Sequence, residues 1–278
     1  MCVEGTQQAV ARQLSRRRFL VGGAIAGGEV AARAGETAKT ESEPVPFPAF
    51  SRVVDLTHTY NDKFPHIAGG GSKVEFSVMS STDDGSGWNV KRWLLDEHAG
   101  THIDAPYHKF PSGATADRLP VDEMVAPLVV IDIRAKASRD PDALLTVEDL
   151  KQWESKNGPI PQRACVAMWS GWEERVMTER FINFDEKGIR HFPGFDVEAV
   201  NFLLEERSAV TIGVDTASFD HGPTTDFPVH VRWLGAGRWG IENLAGLSNV
   251  PAKGATIVVG APKIENATGG HSRVLALV

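Results

Sequence analysis

Cysteine is scarce in this chain of 278 residues, which contains only Cys2 and Cys165. A network of disulfide bonds is therefore excluded. Cys165 lies in the apolar run of residues 164–169, where we expect a small, buried core residue and not a nucleophile.

Clustered positive charge and long apolar runs are also missing from most of the chain. The formal net charge is −7 at pH 7, the isoelectric point is near 5.7, and no basic stripe follows the first 20 residues. Nucleic acid is not an expected partner, because binding to phosphates requires clustered Lys and Arg. No apolar run in the part predicted to fold reaches about 18 residues, so we expect no transmembrane helix there.

The N-terminus is typical of an export signal. Residues 14–20 read LSRRRFL, and the weakly apolar residues 21–28 that follow are too few to span a bilayer. Residues 32–34 read ARA, the pattern of a cleavage site before Gly35. The paired arginines resemble a twin-arginine signal, which predicts export to the periplasm without stable membrane anchoring after cleavage. A disordered basic tail is the alternative. Removal of residues 1–34, with five Arg and two Glu, would change the net charge from −7 to −10.

The rest of the chain divides into a linker and a folded domain. Residues 35–50 are rich in Pro, Glu, Ser and Thr and are predicted to form an extended linker. In residues 51–278, short segments rich in Val, Ile and Leu alternate with Gly, Pro, Ser and Asp, which favours β-strands. The predicted strands are residues 53–58, 74–79, 90–95, 128–133, 164–169, 210–214, 256–259 and 273–277.

Two helices are predicted from their caps. Thr146, with Asp149 three positions later, favours a helix that ends near Lys156. Asp196 is expected to cap a second helix that runs to Arg207 and has one apolar face. Several predicted strands are continuous apolar runs, which is typical of strands buried on both faces. Together these elements predict an α/β single domain with a mixed β-sheet or a barrel-like core.

Residues 97–108, with the sequence EHAGTHIDAPYH, hold the densest group of chemically active side chains. His98, His102, Asp104 and His108 fall within eleven residues. Imidazole and carboxylate ligands together suit Zn²⁺, Mn²⁺ or Fe²⁺, whereas Ca²⁺ and Mg²⁺ prefer oxygen ligands. The segment therefore predicts a metal site, and the alternative is a group of ordinary surface or core histidines.

The local conformation of this segment is expected to be extended, because its Gly, Pro and β-branched residues disfavour a helix. Side chains alternate along a strand, so His102 and Asp104 are predicted to share one face and Ile103 to point to the core. A bend at Gly100 would bring His98 back toward the same point.

The same segment carries a family resemblance. Residues 98–108 contain every fixed position of the signature H-x-G-T-H-x-D-x-P-x-H, and from about residue 53 the chain resembles the cyclase family of metal-dependent hydrolases. That family includes isatin hydrolases and bacterial kynurenine formamidases. The resemblance implies a swivelling β/β/α-type fold, one or two divalent ions (Mn²⁺ or Zn²⁺) and a homo-oligomer such as a dimer. It also implies that His98, His102 and Asp104 bind metal and that His108 serves acid–base chemistry.

A second segment is similar to the same family. His230 and Glu242 match further His and Glu ligands of the family, downstream of an Asp-Thr-x-Ser stretch at residues 215–218. From the residues alone, His230 would be a surface histidine and Glu242 an acid at the N-terminus of a helix. The resemblance implies instead that both bind metal.

The activity implied is hydrolysis of a small cyclic or aryl amide by a metal-bound hydroxide, most directly ring opening of an isatin-type lactam. Residues 214–223 resemble isatin hydrolases more than kynurenine formamidases, and within them Asp215 and Asp220 are expected to cap turns. His108 is expected to take the proton of the attacking water and pass it to the leaving nitrogen, or alternatively to orient a ligand.

Two other functions stay open. One is N-formylkynurenine formamidase (arylformamidase) activity with the same metal chemistry, and the other is a non-catalytic exported metal- or ligand-binding protein. A serine nucleophile is not expected, because the chain has no G-x-S-x-G segment. The expected partner is a small-molecule amide or lactam substrate.

Overall fold

A nine-stranded mixed sheet is the centre of the computed structural model, which describes residues 50–67 and 74–278. The described residues belong to one compact unit. The predicted export signal and all but the last residue of the predicted linker lie outside the described residues, so both stay predictions. Within the described part of the chain, no helix has the length and apolar character required to cross a membrane.

The described strands are short, and many are separated by turns and 3₁₀ helices. They are β1 Val53–Asp55, β2 Glu75–Ser80, β3 Val90–Leu94, β4 His102–Asp104, β5 Val125–Asp132, β6 Leu144–Leu145, β7 Cys165–Trp169, β8 Gly194–Phe195, β9 Thr211–Val214, β10 Trp239–Glu242, β11 Ala255–Gly260, β12 Gly269–His271 and β13 Arg273–Leu277.

The described α-helices are α1 Arg134–Ala137, α2 Val147–Asn157, α3 Val197–Glu205 and α4 Pro228–Gly235. Six 3₁₀ helices accompany them: Thr82–Asp84, Pro106–His108, Ala116–Arg118, Val121–Glu123, Trp172–Arg175 and Leu247–Asn249.

The main sheet has the strand order β1-β13-β11-β5-β7-β9-β10-β4-β12. Strands β5, β7, β9 and β10 are parallel to their neighbours in that run, and the pairs toward both edges are antiparallel. Two smaller pairs lie outside this sheet, the antiparallel β2–β3 hairpin and the parallel β6–β8 pair. The predicted mixed sheet is therefore confirmed.

Alternate residues of the central strands face two separate cores. In β7, Cys165 and Ala167 belong to one core, and Val166 and Met168 to the other. Helices α2, α3 and α4 cover the second core, whereas strands at both ends of the curled sheet enclose the first. A strand buried on both faces can bear apolar residues at every position, which explains the continuous apolar runs in the sequence.

All eight predicted strands are present, with small shifts at their ends. Helix α2 begins after Thr146, whose side chain and that of Asp149 form the expected reciprocal cap. Helix α3 begins after Asp196 as predicted but ends two residues before Arg207. The prediction missed helices α1 and α4 and the short strands β6, β8, β10 and β12, whereas β4 lies in the segment expected to be extended. The strands of the β2–β3 hairpin are exposed.

Asp215 ties the ends of two central strands together. Its carboxylate accepts hydrogen bonds from Ser170 N at 3.1 Å, Ser170 Oγ at 2.6 Å and Trp172 N at 2.9 Å. Burial raises the pKa of Asp215 to about 6, while the hydrogen bonds from Ser170 and Trp172 favour the ionised form. Asp215 therefore caps the turn that follows β7, as the sequence predicts.

We expect Asp215→Ala to lower the free energy of unfolding by roughly 2–4 kcal/mol, because three buried donors lose their acceptor. Urea titration of the two-state transition measures the change. Asp132→Ala is the matched control: it removes a half-exposed carboxylate, paired with Arg134, from the end of β5 and should cost less than about 1 kcal/mol. Equal losses in the two variants would contradict this role of Asp215.

Candidate metal centre

Strand pairing brings the first part of the site together. Strand β4 lies between β10 and β12, and its register places His102 opposite Glu242 of β10 and Asp104 opposite Gly240. Directly paired residues of antiparallel strands project from the same face of the sheet. The sheet therefore presents His102, Asp104 and Glu242 on one face, and Ile103 is fully buried in the core on the other.

The bend predicted at Gly100 is present. Gly100 has φ of +63°, in the left-handed region that favours glycine, and a Cβ there would lie 2.6 Å from the Tyr60 ring. The turn brings His98 back onto the face of β4, where His98 Nδ1 lies 2.7 Å from Asp104 Oδ1. The sequence-predicted convergence of His98, His102 and Asp104 is therefore confirmed.

Helix α4 supplies the second histidine predicted from the downstream segment. His230 Nε2 lies 3.2 Å from Asp104 Oδ2 and 3.3 Å from Glu242 Oε1. His102 Nε2 lies 3.3 Å from Asp104 Oδ1 and 3.4 Å from Glu242 Oε2. All of the five predicted ligands thus meet, and Glu242 is a strand residue, not the helix N-terminal acid that its local sequence suggests.

Hydrogen bonds assign the proton on each of the three imidazoles. His102 Nδ1 donates to Gly100 O at 2.8 Å, His230 Nδ1 donates to Asp220 Oδ2 at 2.7 Å, and His98 Nε2 donates to Thr268 Oγ1 at 2.7 Å. The opposite ring nitrogens, His98 Nδ1, His102 Nε2 and His230 Nε2, therefore all face Asp104 and are the atoms available to a metal ion.

This donor set fits a divalent cation. His102 Nε2 is buried and has no hydrogen-bond partner in the described chain, although its lone pair points at two carboxylates. Lone pairs of imidazoles and carboxylates repel one another unless a proton or a cation lies between them. Imidazole and carboxylate together suit Zn²⁺ or Mn²⁺, and the outer hydrogen bonds to the rings are those that orient metal ligands.

The electrostatics of the cluster follow from burial and mutual contact. Burial alone would raise the pKa of Asp104, but His98, His102 and His230 hold it well below its usual range. Burial alone would lower the pKa of His102 and of His230, but Asp104 and Glu242 raise both, with Asp220 contributing at His230. Burial and the charge of Asp104 raise the pKa of Glu242. The cluster therefore retains protons that a metal ion would displace.

His108 lies beside the cluster at the end of the 3₁₀ helix Pro106–His108. Its ring stacks on His98 with centroids 3.7 Å apart, and His108 can also form a ligand set with His98 and Asp104. A second possible set consists of His102, Asp104 and Glu242, so Asp104 is common to both. The geometry is compatible with one or two ions. It does not decide between a ligand role and an acid–base role for His108.

The cluster forms the base of a cavity of about 620 Å³, within the range of small-molecule sites. His98, Asp104, His108, His230 and Glu242 all line it. Substrate-sized molecules therefore have access to the side chains predicted to be functional.

Comparison with known proteins identifies the family of this chain. The model of the cyclase family, described as "Putative cyclase", matches residues 54–221. The isatin hydrolase of Roseibium aggregatum is 36% identical over 224 residues, covering 77% of this chain and 84% of that protein. The chain belongs to the cyclase family.

Two further members of the cyclase family illustrate its range. The structure of isatin hydrolase A from Ralstonia solanacearum has a TM-score of 0.76 and 37% identity, covering 82% of this chain and 92% of that one. The kynurenine formamidase of Salinibacter ruber is 28% identical over 169 residues, covering 61% of this chain and 70% of that protein. This cyclase-family member is an enzyme, a metal-dependent hydrolase of carbon–nitrogen bonds. A non-catalytic binding protein is not supported by these relatives.

Sequence reasoning missed two residues that orient ligands. Asp220 binds backbone amides of Val229 and His230, as expected of a capping residue, but it also holds the His230 ring. Thr268 accepts from His98, and its hydroxyl donates to Glu97. Neither contact has a local sequence signal, because the partners are 10 and 170 residues apart.

We expect Asp220→Asn to weaken metal affinity by about 10- to 100-fold. The amide group would donate to His230 Nδ1 and shift the ring proton to Nε2, which then cannot bind a metal ion. Competition with a chelator measures the affinity. Asp226→Asn, in the exposed loop before α4, is the control and should change nothing, and similar losses in both variants would rule out the orienting role.

The apparent affinity for Zn²⁺ should still rise with pH above 6.5, the ordinary pKa of histidine, because His102 and His230 have raised pKa values and must release their protons on binding. Chelator competition at several pH values, corrected for the chelator, measures this slope. His191→Gln removes a histidine paired with Asp142 outside the cluster and should leave the slope unchanged. A pH-independent affinity would show that the cluster is already deprotonated.

Proposed function

We propose that this enzyme opens the ring of an isatin-type lactam. The observation that carries the proposal is the convergence of three imidazole nitrogens and two carboxylates at the base of a small-molecule cavity. The isatin hydrolase relatives, at 36% and 37% identity, support a lactam as the substrate.

His98, His102, Asp104, His230 and Glu242 would hold the cation, which we propose to be Mn²⁺ or Zn²⁺. A divalent ion supplies two things to amide hydrolysis: it polarises the carbonyl, and it lowers the pKa of a bound water to about 7. The chain's own contribution is to fix the ligands before substrate arrives. Gly100, Asp220 and Thr268 provide the hydrogen bonds that do so.

We assign proton transfer to His108. Burial lowers the pKa of His108 to about 4, so its imidazole is neutral at pH 7 and has a lone pair for the proton of the attacking water, although a pKa below the working pH makes it a weak base. A protonated imidazole with such a low pKa is a strong acid, and it would readily transfer that proton to the leaving amide nitrogen. Its place in the cavity wall, stacked on His98, brings it close to both reacting groups.

A second candidate reaction is hydrolysis of N-formylkynurenine or a related aryl formamide. The kynurenine formamidase of Salinibacter ruber, at 28% identity, supports it. Both reactions break the C–N bond of an aryl amide, so the same cluster serves either.

We propose that the reaction takes place in the periplasm, in keeping with the predicted export signal.

The first test compares isatin and N-formylkynurenine as substrates of the chain from Gly35, stripped of metal and reloaded with Mn²⁺ or Zn²⁺. We expect turnover of isatin to return with the metal and to fall to background in His102→Ala, because a buried ligand is lost. Turnover of N-formylkynurenine alone would move the assignment to formamidase. Turnover of neither by the reloaded protein would exclude both proposed reactions.

His108→Gln should lower kcat for the preferred substrate by roughly 100-fold or more while the metal content stays unchanged. His221→Gln is the matched control, because it makes the same substitution at a histidine that contacts Thr224 and does not line the cavity. Loss of metal in parallel with activity in His108→Gln would identify His108 as a ligand.

A further inference from the structure

We propose that Arg190 and Lys109, with the ring of Phe227, form a subsite for a carboxylate that the substrate carries in addition to its scissile amide. The inference rests on the proposed function and narrows it to anionic aromatic amides or lactams. The three residues line the same cavity as the histidine–carboxylate cluster but do not belong to it.

Two cations of the cavity wall lie beside one aromatic ring. Lys109 Nζ lies 5.6 Å and Arg190 Cζ 5.8 Å from the centre of the Phe227 ring. The acidic lining residues are Asp96, Glu97, Asp104 and Glu242, of which the last two belong to the cluster. A substrate bound at Phe227 therefore meets positive charge next to an aromatic surface.

The two cations have no carboxylate partner among residues 50–67 and 74–278. Arg190 Nη2 donates to Thr224 O at 3.3 Å, which uses one of the five N–H donors of a guanidinium. Arg207, by contrast, is paired with Glu154 at 2.7 Å, so its guanidinium is already occupied by a carboxylate. A half-buried guanidinium with free donors matches a planar carboxylate, which it can bind through two parallel hydrogen bonds.

The backbone that carries Arg190 is fixed by its neighbours. A Cβ on Gly222 would lie 2.6 Å from Arg190 O, so the two segments touch and the position requires glycine. The next residue, His191, pairs through Nδ1 with Asp142 Oδ2 at 2.7 Å. A cation presented from a fixed backbone loses little conformational freedom when it binds a ligand.

Phe227 connects this subsite to the cluster. Its φ of +53° and ψ of +56° are left-handed, a strained conformation for an aromatic residue, and such strain concentrates at ligand sites. The ring meets His230 edge-on, with centroids 5.8 Å apart and planes at 83°. An aromatic substrate stacked against Phe227 would therefore have its amide toward His230 and an acidic substituent toward Arg190.

The test uses isatin and isatins carboxylated at ring position 5, 6 or 7. With the metal-loaded enzyme, we expect kcat/KM for at least one carboxylated compound to exceed that for isatin at least tenfold. Arg190→Gln should lower this ratio by about 10- to 100-fold, mainly through KM, because one charged hydrogen-bonded pair is lost. Arg190→Lys should restore part of the ratio, and Lys109→Gln should lower it less, because Lys109 is exposed.

Arg118→Gln is the matched control, because Arg118 is exposed and paired with Asp117 outside the cavity, and it should not change the ratio. An unchanged ratio in Arg190→Gln, or no preference for any carboxylated isatin, would overturn the subsite. Binding of benzoate and of benzamide, measured by calorimetry, tests the subsite without turnover. It therefore distinguishes an absent subsite from an absence of the proposed reaction. If no amide is hydrolysed but benzoate binds at least tenfold more weakly to Arg190→Gln than to the wild type, the subsite stands without the proposed reaction.

Discussion

The placement of Asp104 is the constraint on which the site depends. A carboxylate whose side chain is 1% exposed is costly unless positive charge surrounds it, and a second buried carboxylate, Glu242, lies in the same cluster. Three imidazoles meet Asp104, and each comes from a different part of the fold: a turn, strand β4 and helix α4. The cluster is stable only while these elements stay in register. The fold thus holds the carboxylates of Asp104 and Glu242 close together despite their like charge.

Strand register decides which side chains enter the cluster. Glu242 faces the cavity because it pairs with His102 across β10 and β4, and a shift of one residue would point Glu242 to the opposite face. The same alternation places Ile103 and Ile241, which pair directly, in the core behind the site. Burial of those two side chains and convergence of the ligands are thus consequences of one pairing.

Local patterns predicted much of this arrangement and could not predict the rest. The bend at Gly100, the shared face of His102 and Asp104 and the inward direction of Ile103 follow from a few consecutive residues. His230 and Glu242 do not, because each is more than 100 residues from Asp104 in the chain and meets it only in the folded protein. Only the family resemblance indicated them.

The missed strands β8, β10 and β12 are short and contain glycine, so tertiary pairing and not local preference makes them extended. The β2–β3 hairpin exposes apolar side chains, among them Phe76, Val78 and Trp93, and the pattern of its sequence does not distinguish this exposure from burial.

The orientation of the imidazoles has a further consequence for how a cation would bind. Each ring proton is fixed by an acceptor outside the cluster: a backbone carbonyl for His102, a buried carboxylate for His230 and a hydroxyl for His98. These three contacts do not require the ion, so the ring nitrogens that would bind it already point inward in the metal-free fold. Binding then costs proton release and little reorganisation, and its free energy is set by the stability of β4, α4 and the segment around Thr268. Residues that are not themselves ligands, such as Asp220 and Glu97, therefore control the chemistry through the geometry of the ligands: Asp220 holds His230, and Glu97 accepts from Thr268, which holds His98.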